Sequence, residues 1–484
     1  MADTYYWYDY ETTGIDPARD RVVQFAGIRT DLDFNVVAEP DVFYCKLHDD
    51  ILPHPEACLI TGITPQLTLK EGLVESDFIE RIHRQFSTPQ TCVVGYNSIR
   101  FDDEFTRNLL YRNFFDPYAR EWKSGNTRWD LIDVVRLTHA LRPEGINWPT
   151  GENGFASFRL EVLTKENGIL HESAHDALSD VYATIALAKL VKKKQPKLYA
   201  WAYALRNKRK AQESLDLVKK TPVVHVSSKY PASADCLAIV APMASHPNNK
   251  NAVIVCDLSV NPQALIDLSV EDIHRRLYTA TADLQEGQER LPLKLVHINK
   301  SPMLAPLNTL SDQVKVKLNL DLECCERNRQ TLLSAGIEEK LAEVFSINEF
   351  EQSTDPDLML YGGGFLSSID ARNMTQIRHC QKDELSHLDL AFEDERLAEM
   401  LFRYRCRNFP ETLSSEDRAE RLKYRAECLT HDCGDGRLTL MSYFEILDEL
   451  IAKEGWTEEQ QELLESLISY GENMASSIKP LGNE

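Results

Sequence analysis

The alternation of apolar and polar positions changes rhythm three times along the chain. In the first part, "TYYWYDYET", "RVVQFAGIRTD" and "NVVAEPDVFYCKL" are aromatic and β-branched runs parted by turn residues, which predicts three strands. "ESDFIERIHRQF" returns apolar residues at helical spacing, "TCVVGYN" reads as a short buried strand ending in a glycine turn, and "FDDEFTRNLLYRNFF" reads as a helix. "HDALSDVYATIALAKLVKKK" is a further helix, with lysines in its last turn to complement the helix dipole. Strands first, then strands alternating with helices, predict an α/β domain with a mixed sheet over residues 5–195. The basic, aromatic stretch "KKKQPKLYAWAYALRNKRK" leads into "PVVHVSS", "CLAIVAPMA", "NAVIVCDLS" and "LPLKLVHINK". These predict a small β-barrel-like domain over 196–350, with a helical insertion around "VEDIHRRLYTA". Residues 352–478 carry helical periodicity and many acids, the pattern of a helical C-terminal domain.

Several classes of protein drop out on composition. A chain of 484 residues is too long for one ordinary core. No apolar run approaches the roughly 18 residues that span a bilayer, so no membrane association is expected. The opening "MADTYYWYDY" has neither the basic flank nor the apolar stretch of a secretion signal. Eleven cysteines are scattered singly except for Cys324 and Cys325, which fits a reduced, cytoplasmic protein. With 54 basic and 76 acidic residues the net charge is −22, against a general polyanion binder. If the chain handles nucleic acid, its positive charge must be gathered in a groove.

Asp9 and Glu11 sit two apart in a run that is otherwise aromatic and uncharged. On a strand they share one face, where like charges repel unless a cation lies between them. Mg²⁺ takes oxygen ligands and keeps several waters, so two or three carboxylates suffice to hold it. A second candidate is "VVGYNSIRFDDEF", where Asp102 and Asp103 open a helix; capping accounts for one of them more readily than for both. The third is "AHDALSDVYATIALAKL", with His175, Asp176 and Asp180. His175 and Asp180 reach one place only if the histidine lies on the loop entering the helix.

This order of residues resembles the DEDDh branch of the DnaQ-like (RNase H-like) 3′→5′ exonucleases. "LITGITP", "GYNSIRFDDE", "LRPEGINWP", "SFRLEVLTKENGI", "LVHINKSP" and "RYRCRNFPETL" extend the likeness, through all three proposed domains, to the bacterial exodeoxyribonuclease I family. The resemblance implies a nuclease domain, an SH3-like β-barrel and a helical C-terminal domain. It implies processive hydrolysis of single-stranded DNA from the 3′ end to 5′-mononucleotides, in repair or recombination. An RNA-trimming or proofreading relative and a non-catalytic single-strand-binding module are the competing readings. The family's four acids fall on Asp9, Glu11, Asp102 and Asp180, and its general base on His175. On that basis Asp9 bridges two Mg²⁺ ions, with Mn²⁺ a substitute. Glu11 and Asp180 complete one coordination sphere, and Asp102 supports the other through water. Glu11 and Arg159 are expected near the nucleotide, although Arg159 could equally form a surface ion pair. A single-strand groove needs cations and aromatic planes. Arg107, Tyr118, Trp122, Arg128 and Arg136 offer them near the site, and Asn251, Lys294, Asn299 and Lys300 in the β-rich domain. Implied partners are a DNA 3′ end and the acidic tail of single-stranded DNA-binding protein, met by a monomer. "CLTHDC" (Cys428, His431, Cys433) lacks an evident fourth ligand for zinc. "LYGGGF" lacks the Lys-Ser/Thr of a phosphate loop and reads as a turn.

Overall fold

The computed structural model describes residues 3–171, 176–347, 353–431 and 436–478. The backbone falls into two compact units, and neither is continuous in sequence. The first holds Met1–Asn126, Glu172–Tyr182 and Gln352–Glu484; the second holds Thr127–His171 and Ala183–Glu351.

In the first unit, strands β1 (Thr4–Thr12), β2 (Val22–Thr30), β3 (Asp41–Tyr44) and β4 (Thr91–Gly95) lie in the order β3-β2-β1-β4. β2 is antiparallel to both β1 and β3, whereas β4 runs parallel to β1. A parallel neighbour requires a crossover. Helices α1 (Pro55–Thr61), α2 (Pro65–Glu71) and α3 (Glu75–Phe86) make it. Proline opens α1 and α2, where its missing N–H would have had no helical partner. β3 is shorter than the apolar run around it, because Pro40 interrupts pairing and Val36 and Val37 are left exposed.

Alternation along β1 sets up everything that follows. Tyr6, Tyr8 and Tyr10 point into a core with Phe25, Phe43, Phe78 and Phe86. The other face carries Tyr5 and Trp7, whose rings pack near Phe34, and then Asp9 and Glu11. Helix α4 (Asp102–Arg112) follows the turn after β4 and lays Phe105 and Leu109 into the tyrosine core.

The C-terminal helices of this unit, among them Arg396–Asn408, Ser415–Thr430, Leu440–Ile451 and Glu458–Ser477, share cores with its N-terminal elements. Tyr111 and Phe114 pack with Met374, Leu397, Met400 and Tyr404. Leu52 and Cys58 pack with Leu429, Tyr443, Leu467 and Tyr470. Between these cores lies a buried charge cluster. Glu75 accepts from Asn113 Nδ2 at 2.8 Å and lies 3.4 Å from Arg112 Nη2, 3.8 Å from Arg407 Nε, and 4.0 Å from Arg21 Nε. Asp357 accepts from Arg407 Nη1 at 2.9 Å and lies 3.3 Å from Arg403.

The second unit contains β5 (Thr127–Asp130), α5 (Leu131–Leu141) and α6 (Leu160–Glu166). Its main feature is an antiparallel sheet in the order β10-β6-β7-β8-β9. The strands are β6 (Val223–Val226), β7 (Leu237–Ser245), β8 (Ala252–Asp257), β9 (Leu293–His297) and β10 (Met303–Pro306). Val223, Val240, Val255, Val296 and Leu304 fill one face. The expected helical insertion lies between β8 and β9, as Gln263–Asp267 and Val270–Tyr278. Helix α7 (Ala177–Lys194) begins among the residues of the first unit and continues among those of the second. No described helix is long and apolar enough to cross a membrane.

Candidate active site

β1 and β4 are parallel, with Trp7 opposite Val94, so their C-terminal ends open on the same side. Asp9 and Glu11 leave β1 there, and the turn after Gly95 brings the chain to α4. Gly95 is required at that point, since a Cβ would lie 2.6 Å from Ser98 Cβ. The two aspartates at the head of α4 then divide the work. Asp103 accepts from Tyr8 Oη at 3.0 Å and Arg120 Nη2 at 2.6 Å, in a fully buried pair that fastens the helix to the sheet. Neither caps the helix through its side chain, the N-cap being Phe101. Asp102, also buried, is left for the site.

Among the described residues, Asp9, Glu11 and Asp180 each offer a ligand oxygen, all within 4.8 Å of one another. Burial raises the Asp9 carboxyl well above its ordinary range, and the charges of Asp102, Glu11 and Asp180 raise it further. Burial likewise pushes Glu11 up to about 9, with Asp180, Asp102 and Asp176 adding to the effect. Four acids from three separate stretches of sequence therefore act on one another. Hard oxygen donors that repel one another this strongly fit a divalent cation. His175 and Cys433 lie outside the described residues. Asp176, next to His175, is close enough for its charge to be felt at Glu11.

The expected DNA-contacting residues are dispersed. In the first unit Arg107 is buried and donates to Glu121 Oε1 (2.8 Å), Glu104 Oε1 (2.9 Å) and Tyr361 Oη (3.0 Å), with its guanidinium 5.3 Å from the Tyr118 ring centre. It braces α4 as it stands. Trp122 is 67% exposed. In the second unit Arg128 Nη2 donates to Asn299 O at 3.4 Å, and Asn251 O accepts from Ile298 N at 2.8 Å. Asn251, Asn299, Lys300 and Arg128 thus gather where β9 ends. Lys294 lies toward the other end of β9, 3.7 Å from the Tyr230 ring centre. Arg136 is buried, with Asp133 at 2.7 Å, and Arg159 forms an exposed ion pair with Glu161 at 2.5 Å.

One feature was not legible in the sequence pattern. A cleft of about 700 Å³ opens just past β1, lined by Gly14, Ile15, Asp20, His54 and Ile60 among others. A Cβ on Gly14 would fall 2.4 Å from the Asp20 carboxylate that ties this turn. Beyond it Ile15 is 86% exposed and Ile60 58%. An isoleucine isolated between a glycine and "DP" is the one trace of this in the sequence.

Residues 6–188 match the Exonuclease family, 206–347 the Exonuclease I SH3-like domain and 354–474 the Exonuclease I C-terminal domain. Exodeoxyribonuclease I of Escherichia coli (strain K12) is 46% identical, the alignment covering 97% of this chain and 98% of that one. The solved exonuclease I of Methylocaldum szegediense superposes with a TM-score of 0.94 at 50% identity, over 98% of this chain and 100% of its own. E. coli exonuclease I in complex with a dA16 oligonucleotide gives 0.93 at 45%, with the same coverage. The E. coli enzyme has also been solved with single-stranded DNA in a zinc-bound form (0.93, 45%), and an SSB/exonuclease I complex aligns at 0.90 and 43%; both cover 98% of this chain and 100% of theirs. Sequence likeness over nearly the whole length, three successive domain matches and a shared backbone agree: the chain belongs to the exodeoxyribonuclease I family.

Proposed function

We propose that this protein hydrolyses single-stranded DNA processively from its 3′ end, releasing 5′-mononucleotides, in DNA repair or recombination. The observation that carries the reading is the convergence of Asp9, Glu11 and Asp180 within 4.8 Å. The charge of Asp102 on the same group supports it. These four would hold two divalent ions, with Mg²⁺ the expected metal and Mn²⁺ a substitute. Such a pair supplies charge stabilisation to the attacking and the leaving oxygens of a phosphoryl displacement. The chain's own residues supply the rest. Asp103, through Tyr8 and Arg120, fixes the helix that carries Asp102. His175 takes the proton of the attacking water; an imidazole with an ordinary pKa near 6.5 is neutral enough at pH 7 to do so. The cleft beyond Gly14 is wide enough for a nucleotide, and Ile15 and Ile60 offer apolar surface to its base. Arg159 would release Glu161 to meet the phosphate. The solved SSB/exonuclease I complex supports a second partner, the acidic tail of single-stranded DNA-binding protein.

The test is direct. A 3′-labelled single strand is incubated with wild type or Asp9→Ala, with and without Mg²⁺. Release of the terminal nucleotide by wild type with metal alone is expected; equal release by Asp9→Ala would remove the assignment.

A further inference from the structure

Gln24 is the one polar residue of β2 between Val22 and Ile28, and it is 4% exposed. Its neighbour Phe25 lies in the tyrosine core, so alternation sends Gln24 and Ala26 to the opposite face, the one that carries the acids. The register of β1 and β2 fixes their partners: Ala26 lies opposite Asp9, and Gln24 opposite Glu11. Directly opposed side chains of an antiparallel pair have Cβ atoms about 4.5–5.5 Å apart, within reach of a carboxamide. The pairing slips immediately afterwards, Thr12 standing opposite Val22, so Glu11 and Gln24 are the last regular pair before a bulge. Bulges beside active sites re-aim side chains. On its far side Gln24 is flanked by Tyr44 of β3.

The two acids of β1 differ in what holds them. The Asp9 carboxylate accepts from the Tyr10 backbone N–H. Glu11, 7% exposed, accepts from no donor among the described residues, and the Gln24 amide has no partner among them either. Buried amides and carboxylates are hydrogen-bonded as a rule, since a bond left unmade costs about 1–3 kcal/mol. A carboxylate that ligates a cation through one oxygen is held in its ligating orientation by a donor on the other. An amide offers two N–H donors and no charge, so it steadies a carboxylate without setting a positive group beside the metal.

We propose that Gln24 is a positioning residue for Glu11: its Nε2 donates to the Glu11 oxygen turned away from the metal, and so holds the other oxygen toward Asp9 and Asp180. The proposal rests on the metal-dependent nuclease reading above. It makes β2, which supplies no ligand, part of the metal site.

The test uses the full-length protein and Mn²⁺ alone, with affinity read by electron paramagnetic resonance in the absence of DNA. Gln24→Met keeps the length of the side chain and removes the hydrogen bond. It is expected to weaken Mn²⁺ binding by about 10- to 100-fold, the range for losing such a supporting partner, while affinity for oligo(dT) in EDTA stays at the wild-type value. The same substitution in a Glu11→Gln background should add no more than about twofold, because the amide acts only through Glu11. Where Gln24→Met does not fold, Mn²⁺-bound crystals of wild type decide. A separation of about 2.7–3.2 Å between Gln24 Nε2 and a Glu11 oxygen is expected, and an amide turned away from Glu11 overturns the assignment. Unchanged Mn²⁺ affinity in Gln24→Met, or an equal loss with and without Glu11, would overturn it too. Wild type that binds Mn²⁺ but never cleaves a single strand refutes the nuclease reading and leaves this comparison intact. Wild type that binds no Mn²⁺ refutes both.

Discussion

Metal binding by this site should expel protons, and the distances say how strongly. Asp9, Glu11 and Asp180 place ligand oxygens within 4.8 Å of one another. At an effective dielectric of about 20, two unit charges at that separation repel by about 3.5 kcal/mol, roughly 300-fold in proton affinity. Burial adds to this, and Glu11 is pushed up to about 9. Without a cation, Glu11 therefore keeps its proton at pH 7, and a divalent ion must displace it. A raised carboxyl favours the protonated, metal-free state below its pKa, so apparent Mg²⁺ affinity should climb as pH rises and level off near 9. For one displaced proton the slope is about tenfold per pH unit, or about 100-fold from pH 6 to 8. Asp180→Asn removes the largest charge acting on Glu11. It should weaken binding through the lost ligand and move the plateau to lower pH. Isothermal titration of Mg²⁺ in buffers of differing ionisation enthalpy reads both affinity and protons released. A pH-independent affinity between 6 and 8, with no proton released at pH 7, would refute the reasoning.

Further outcomes follow from the buried charges and from the proton-accepting role proposed for His175. Glu75→Gln leaves Arg112, Arg407 and Arg21 short of their counter-charge and should cost about 3–5 kcal/mol, on the order of 10 °C in Tm; a loss under about 1 kcal/mol by urea unfolding would show that the cluster is dispensable. Burial alone would raise the Asp357 carboxyl, but Arg407, Arg403 and Arg112 outweigh it and hold the group at about 2. Its contribution, on the order of 2 kcal/mol, is present above pH 4 and lost as pH falls through 2, so Asp357→Asn should flatten the acid limb of stability against pH. An acid limb identical in the two proteins would exclude that role. His175→Ala should keep metal and DNA binding while losing about 10²–10⁴-fold in turnover, measured at neutral pH with saturating strand. Wild-type turnover in that variant would assign the proton transfer elsewhere.

The strand that carries Asp9 and Glu11 was readable because alternation of period two is local: tyrosines inward, acids outward. The barrel-like sheet and its helical insertion were readable for the same reason. Local pattern could not separate Asp102 from Asp103. What separates them is Tyr8, 95 residues upstream, and Arg120, 17 downstream. Nor did it show that Arg107 is enclosed, since Tyr361 lies 254 residues away. The sequence divides the chain into three successive stretches. What that division does not convey is that the packing joins the first 126 residues to the last 130 or so, because Glu75 and Arg407 can find each other only in the folded molecule.

That last arrangement bears on how such a protein can be shortened or recombined. A fragment ending after the barrel would keep every acid of the cluster yet leave Arg112 and Glu75 without Arg407, and Tyr111 and Phe114 without the helices that cover them. Grafting the N-terminal portion onto another protein would carry the same defect. The heritable piece is a pair of chain ends, which must be exchanged together or not at all.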